Sequence, residues 1–330
     1  MATEPAQRQA PPGPIGRWHA ERIDRLAELA AAPPDERGES LTRETLRRLR
    51  RSPVAMTGAA VVMLFVLMAV IGPFLAPYDP KATIGLEHIR PGVIPGPSAE
   101  HWLGLDQLGR DVFSRLLVGS QQTLLVGVVA TLIGFTLGAL VGGIAGAANA
   151  MGGRIGRQLD SVLMRGIDML LALPPLLLAA SVAAVLGPSL LTVMIAVGVA
   201  AVPIFARLLR GSMIAQAHRD YVLAASALGV RRKRIVLGHV FPNSLAPVIV
   251  QATLTLATAI IEAAGLSFLG LGNPDSAAPE WGTMLAQAQR QLSVQPMLAV
   301  YPAVAIIVTA LGFTLLGEAM RESLDPKLRK

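Results

Sequence analysis

The chain contains no cysteine. That excludes a disulfide framework and any thiolate metal site, and it leaves the redox compartment unspecified. Metal ligation would fall to the five histidines, His19, His88, His101, His218 and His239. No two of them have the i, i+4 spacing that sets two ligands on one helix face, so they read as interfacial or structural residues. Charge is scarce too: Asp, Glu, Lys and Arg make up 15% of the residues, against 52% hydrophobic residues and a mean hydropathy of +0.53. An average soluble domain carries about a quarter charged residues, so most of this chain is solvated by lipid. The sequence also has no GxxxxGK(S/T) phosphate loop, no HExxH and no GxSxG elbow. It gives no warrant for an enzyme, and any ATP its work requires must be bound by another subunit.

What the sequence does contain is long apolar runs. A spanning helix needs about 20 mainly apolar residues. Six windows meet that need, near 54–76, 121–148, 162–187, 190–209, 246–270 and 299–318. The first follows about fifty residues rich in charge, too far from the start for a cleaved signal peptide, and is expected to remain as an anchor. With the N-terminus inside, only Lys81, Arg90, Arg110, Arg115 and Arg290 of the 29 Lys and Arg fall in outer loops. The others, among them Arg47, Arg48, Arg50, Arg51, Arg154, Arg157, Arg231, Arg232, Lys233, Arg234 and Lys330, fall in inner segments or at inner helix ends. The positive-inside rule then places both termini in the cytoplasm. The net charge of +7 borders apolar segments, so an anionic inner leaflet accounts for it without a nucleic acid partner.

The expected organisation is an all-α integral membrane protein with four parts. Residues 1–50 form a surface-lying or partly disordered cytoplasmic tail, with a regulatory docking element as the alternative; Ile23, Leu26 and Leu29 line one face, and Glu44 with Arg48 is a favourable i, i+4 pair. Residues 51–77 hold the anchor, 78–120 an extracytoplasmic segment, and 121–330 the core with a polar loop at 215–243. In the second span Gly134, Gly138, Gly142 and Gly146 recur every fourth residue, a spacing that lets a neighbouring helix approach closely in lipid. Pro174, Pro175 and Pro203 predict kinks. Two intramembrane acids are candidates for a translocation pathway. Asp168 is expected to pair with Arg165, and Glu262 either lines a hydrated path or bonds a neighbouring helix. Trp102 and Trp281 are placed as interfacial anchors.

The polar loop reads RDYVLAASALGVRRKRIVLGHVFPN from Arg219 to Asn243. Asp220 to Leu228 favour a short helix with Val222, Ala225 and Leu228 on one stripe, and Gly229 suits a left-handed helix end. Arg231, Arg232, Lys233 and Arg234 hold the segment at the inner surface. Ile235, Leu237 and Val240 give a second stripe before Pro242 starts the return to the membrane. A helix, a glycine turn and a second helix parallel to the bilayer fit insertion into a partner's groove, and a loop that only fixes topology fits as well.

These residues resemble a known family. AASALG (224–229), with Pro242 thirteen residues after Gly229, is similar to the cytoplasmic EAA loop of ABC importer permeases. It departs from that loop's usual pattern at Leu223, where an acid is usual, and at His239 and Phe241. HWLGLDQLGRDVFSRLLVGS (101–120), DMLLALPPLLLA (168–179), FPNSLAPVIVQATL (241–254), GLSFLGLGNP (265–274), PEWGTML (279–285) and the closing LDPKLRK resemble the C-type permease of dipeptide, oligopeptide and nickel importers, over roughly 50–330. The resemblance implies a type I importer fold, a homologous second permease, two ATPase subunits that bind ATP and Mg, and an extracytoplasmic binding protein facing 78–120 and 272–298. It makes Asp220, Ala224, Ala225, Gly229, the four cations and Pro242 the ATPase-coupling residues, with Ala224, Ala225 and Gly229 as knob and turn. Short peptides are the default cargo, with nickel chelates or glutathione as alternatives. An ion-coupled secondary carrier would need a ladder of intramembrane charges or an inverted repeat, and neither stands out. A membrane scaffold is the remaining alternative.

Overall fold

Helix boundaries follow local chemistry. In the computed structural model, which describes residues 47, 49–90 and 93–324, α1 (Pro53–Leu75) starts with Ser52 accepting from the Ala55 N–H at 3.3 Å and with proline at its first position. Helix α2 (Val112–Met151) starts at Asp111, whose carboxylate accepts from the Ser114 N–H at 2.7 Å. Such caps satisfy donors that a helix start leaves open. The second span therefore reaches back to Val112, into the segment read as extracytoplasmic. At 40 residues α2 is about 60 Å long, roughly twice the hydrocarbon thickness, so it projects beyond a bilayer.

The third window is two helices, α3 (Gly153–Leu171) and α4 (Pro175–Leu186), bent by 92°. Pro175 has no N–H to continue α3, and the residue before a proline avoids helical backbone, so the chain turns at Ala172–Pro174. At 12 residues α4 is too short to cross alone. Helix α5 (Leu190–Ala217) runs through Pro203 without ending. Then come α6 (Asp220–Ala227), α7 (Arg232–Ile235), a π-helical turn (Val236–Val240), α8 (Phe241–Ser244) and α9 (Ala246–Phe268). From Arg232 to Phe268 these form one apolar span. Pro242 accordingly sits inside a continuous helical run, where the π turn absorbs its missing donor, and the second short helix of the loop is the start of that span. After α10 (Trp281–Ala288) and α11 (Met297–Leu324), the described residues give five helices long and apolar enough to cross a membrane, six with the bent pair.

The seam between α2 and α5 organises the core. Gly134, Gly138, Gly142 and Gly146 all face α5 and are buried. A Cβ on Gly142 would lie 2.3 Å from the Ala206 carbonyl oxygen, and one on Gly138 2.5 Å from the Phe205 Cβ. The small-residue stripe is what lets the two backbones meet. Leu64, Phe74, Leu132, Leu140, Ile307 and Leu311 point outward, as lipid-facing residues do. Residues 1–46, with Ile23, Leu26, Leu29 and Glu44, and residues 325–330 lie outside the described residues, as does Arg48.

Candidate functional site

At one end of the bundle the loop from Arg219 to Val230 makes a compact closure. Asp220 sits in the first turn of α6, where a negative charge complements the helix dipole. At the other end the Gly229 N–H donates to the Ser226 carbonyl at 3.0 Å and the Val230 N–H to the Ala225 carbonyl at 3.1 Å. This is a Schellman closure, with Gly229 at φ +76° in the left-handed region it requires. Ala225 and Val230 pack together against the buried cluster around Phe205, Met213 and Val236, completing the motif's apolar contact. Ala225 thus faces the bundle, and the expected Val222, Ala225, Leu228 stripe divides: Val222 packs inward, while Leu228 is 83% exposed. The outward face carries Leu223, 63% exposed, with Ala224 and Leu228. In the second stripe Ile235 and Val240 are buried with Val236, and Leu237 is exposed, because a residue two places on from Ile235 lies on the opposite face of a helix.

The four cations differ in role. The Arg232 guanidinium donates from Nη1 to the Met151 carbonyl at 2.9 Å, so it caps the C-terminus of α2. Arg231, Lys233 and Arg234 are exposed at the start of a helix, where the macrodipole disfavours cations by about 0.3–1 kcal/mol each.

Two ion pairs tie α3 to α5. Arg210 donates to both oxygens of Asp160, at 2.5 and 2.8 Å, and Asn149 Nδ2 donates to Asp160 Oδ2 at 2.7 Å. Asp168 pairs with Arg207 across the helices and not with Arg165: the neighbouring helix offers a guanidinium facing the carboxylate. Glu262, partly buried on α9, makes no hydrogen bond or ion pair among the described residues.

The opposite end is a plate of buried charge. The Asp106 carboxylate accepts from the Leu108 and Arg110 N–H groups at 2.8 and 3.0 Å and from Arg110 Nε at 2.6 Å; Arg115 Nε lies 3.6 Å away. Arg110 also donates to the Ser276 carbonyl at 2.7 Å and to Gln287 at 2.9 Å. Arg115 donates to the Pro80 and Ala277 carbonyls at 3.0 and 3.1 Å. Both guanidinium groups are 1% exposed, so two cations counted as outer-loop charges are structural ties. Desolvation holds Glu280 above the ordinary carboxyl pKa, opposed by hydroxyl donors from Ser267 at 2.7 Å and Thr283 at 2.8 Å. Trp281 is fully buried, donating to the Leu116 carbonyl at 2.9 Å and lying tilted against Phe65 with ring centroids 5.4 Å apart; it is a core residue and not an interfacial anchor, whereas Trp102 is exposed. Sequence reasoning missed this plate, although the Asp106–Arg110 spacing of four residues was visible.

Comparison with known proteins gives this geometry a family. Residues 138–330 match the binding-protein-dependent transport system inner membrane component, and residues 40–89 match the N-terminal TM domain of oligopeptide transport permease C. The chain belongs to this permease family. The dipeptide transport system permease protein of Alkalihalophilus pseudofirmus is 38% identical over 92% of this chain and 96% of its own length. A probable D,D-dipeptide transport system permease protein of Escherichia coli K12 is 39% identical over 91% and 96%. A glutathione transport system permease protein of Escherichia coli O6:K15:H31 is 41% identical over 87% and 90%. A chain of an inward-facing methionine ABC transporter superposes with a TM-score of 0.52 at 20% identity, over 64% of this chain and 97% of that one. That likeness speaks for the type I importer fold. The permease is thus a multi-pass membrane component of an ABC importer.

Proposed function

We propose that this permease carries short peptides across the bacterial inner membrane, with both termini and the 215–243 loop in the cytoplasm, and that α6 is the element an ATPase subunit grips. Its partners in this reading are a homologous second permease, two ATPases that bind ATP and Mg, an extracytoplasmic binding protein, and lipid; the chain itself performs no catalysis and binds no cofactor. The observation that carries the reading is the outward face of α6: Leu223, Ala224 and Leu228 exposed together on a short helix closed by Gly229 and backed by Val222 and Ala225. An apolar ridge at the wet end of a bundle has a partner to cover it. Arg231, Lys233 and Arg234 disfavour their own helix start, so their placement answers to anionic lipid or an acidic partner surface.

Closure of the ATPase pair would push α6, and the push has a path. Arg232 ties the loop to the end of α2, α2 is seamed to α5 along its glycine stripe, and its far end is bonded into the charged plate. Rigid-body rocking of this unit would alternate the cavity shared with the second permease, with Asp168 and Glu262 as candidate pathway groups. Peptide cargo rests on the dipeptide relatives, and the glutathione relative keeps that tripeptide as the second cargo, ahead of nickel chelates. The test is ATP-dependent uptake by the reconstituted complex, with a dipeptide and glutathione in competition. Uptake that ignores ATP would refute the importer reading, and uptake that only glutathione inhibits would move the cargo.

A further inference from the structure

At the plate end, a cavity of about 550 Å³ lies between the Asp106–Arg110 turn, the loop 270–276 and α10 with its following turn. That volume is within the range of about 300–1,000 Å³ typical of small-molecule sites. Its walls are polar in an ordered way. Ser267 and Thr283 have their hydroxyls turned onto Glu280, so this carboxyl is occupied from within. Gln287 is committed on both ends, accepting from Arg110 and donating to the Ser276 carbonyl at 2.9 Å. Gln107, Arg290 and Gln291 line the same cavity, and their side chains make no hydrogen bond or ion pair among the described residues. The acids nearby are already balanced, Asp106 by Arg110 and Arg115, and Asp275 by Lys81 at 3.7 Å. One uncompensated guanidinium with amide side chains around it matches a ligand that has a carboxylate at one end and amide groups beyond it.

We infer that this cavity receives the C-terminal carboxylate of a short peptide on Arg290, with Gln107 and Gln291 bonding its amide groups. The inference rests on the peptide reading and adds a site to it. A γ-linked tripeptide with free carboxylates presents the same chemistry, so the inference holds for either cargo.

The test reconstitutes the full complex with its binding protein and measures ATP-driven uptake of a short peptide and of its C-terminal amide, for wild type, Arg290→Gln and Arg290→Lys. Binding-protein association is recorded for each. The expected result is uptake of the free-carboxylate peptide slowed by about ten-fold in Arg290→Gln, the loss of one charge-assisted hydrogen bond. Arg290→Lys should restore most of it, amide uptake relative to wild type should not change, and association should be intact. Equal slowing of both peptides with weaker association would overturn the inference and make this face a protein docking surface. No slowing would overturn it as well. If wild type imports the acid but not the amide, rescue by lysine supports the site and failure of rescue removes it. Import of neither peptide by wild type would instead defeat the peptide reading beneath it.

Discussion

Alanine at Gly142 will damage the α2–α5 seam more than alanine at Gly146 does. Both glycines belong to the same stripe, yet they meet different atoms. A Cβ on Gly142 would stand 2.3 Å from the Ala206 carbonyl oxygen and 2.8 Å from its Cα, all backbone of α5. Backbone in a packed helix cannot swing aside, so the two helices must part. At Gly146 the nearest atoms are the Met213 sulfur at 2.8 Å, which can move with a change of rotamer, and the Met213 Cβ at 3.0 Å, for which the helices need give by only a few tenths of an ångström. Overpacking costs about 1–3 kcal/mol, and replacing glycine by alanine within a helix returns roughly 0.5–1 kcal/mol. The net loss lies between about 0 and 2.5 kcal/mol, with Gly142→Ala towards the upper end, where backbone meets the new methyl, and Gly146→Ala towards the lower end, where a side chain does. Gly166 in α3 has nothing within 4 Å of a Cβ, so Gly166→Ala is the control and gains up to about 1 kcal/mol. The assay is the thermal midpoint of the detergent-solubilised protein followed by tryptophan fluorescence, in which 1 kcal/mol corresponds to about 1–2 °C for a chain of 330 residues. If Gly142→Ala melts no lower than Gly146→Ala, the seam is not held by backbone contact and the reasoning fails.

Four further outcomes are expected. Arg232→Ala removes a cap on α2 at an exposed site, so stability falls by less than about 1 kcal/mol; the ratio of ATP hydrolysed to peptide imported rises, and an unchanged ratio counts against α2 as the transmitting rod. Asp160→Ala leaves Arg210 and Asn149 without their acceptor, and because Arg210 remains partly solvated the cost is about 1–3 kcal/mol in thermal stability; Asp168→Ala, at an exposed pair, costs under about 1 kcal/mol. Glu280 has its folded pKa raised above 4.5 by burial, so the folded state binds its proton more tightly than the unfolded state. The resulting stability is fully present below the ordinary carboxyl pKa and is lost as pH rises through the folded pKa. Glu280→Gln keeps a neutral acceptor there, and its melting temperature should lose that part of the fall across the same interval; a slope equal to wild type would refute the assignment.

The spans were legible because lipid imposes a simple demand: about twenty apolar residues per crossing leave a mark no local detail erases. The glycine spacing and the Gly229 helix end were legible for the same reason, since each is a local rule with a residue signature. The charged plate was not. Arg110 and Arg115 look like ordinary loop cations until the chain from 275 to 287 folds over them, more than 150 residues away in sequence. Trp281 reads as an interfacial residue by composition, and only the helix packing of Phe65 and Gly119 against it makes it core. Asp168 found Arg207 and not Arg165 because helix pairing outranks nearness along one helix. Within the loop, the π turn changed the phase of every residue after Val236, and no residue pattern announces a five-residue hydrogen-bond step.

The central claim, that α6 is where an ATPase subunit takes hold, is tested most directly by what stays bound to the tagged chain after gentle solubilisation, wild type against Ala224→Trp. Ala224 is exposed, so tryptophan there alters the outward face and leaves the backing of Val222 and Ala225 in place. The account predicts that wild type retains a homologous permease and P-loop ATPases, and that the variant keeps the permease and loses the ATPases. Retention of the ATPases in equal amount by both proteins would contradict it.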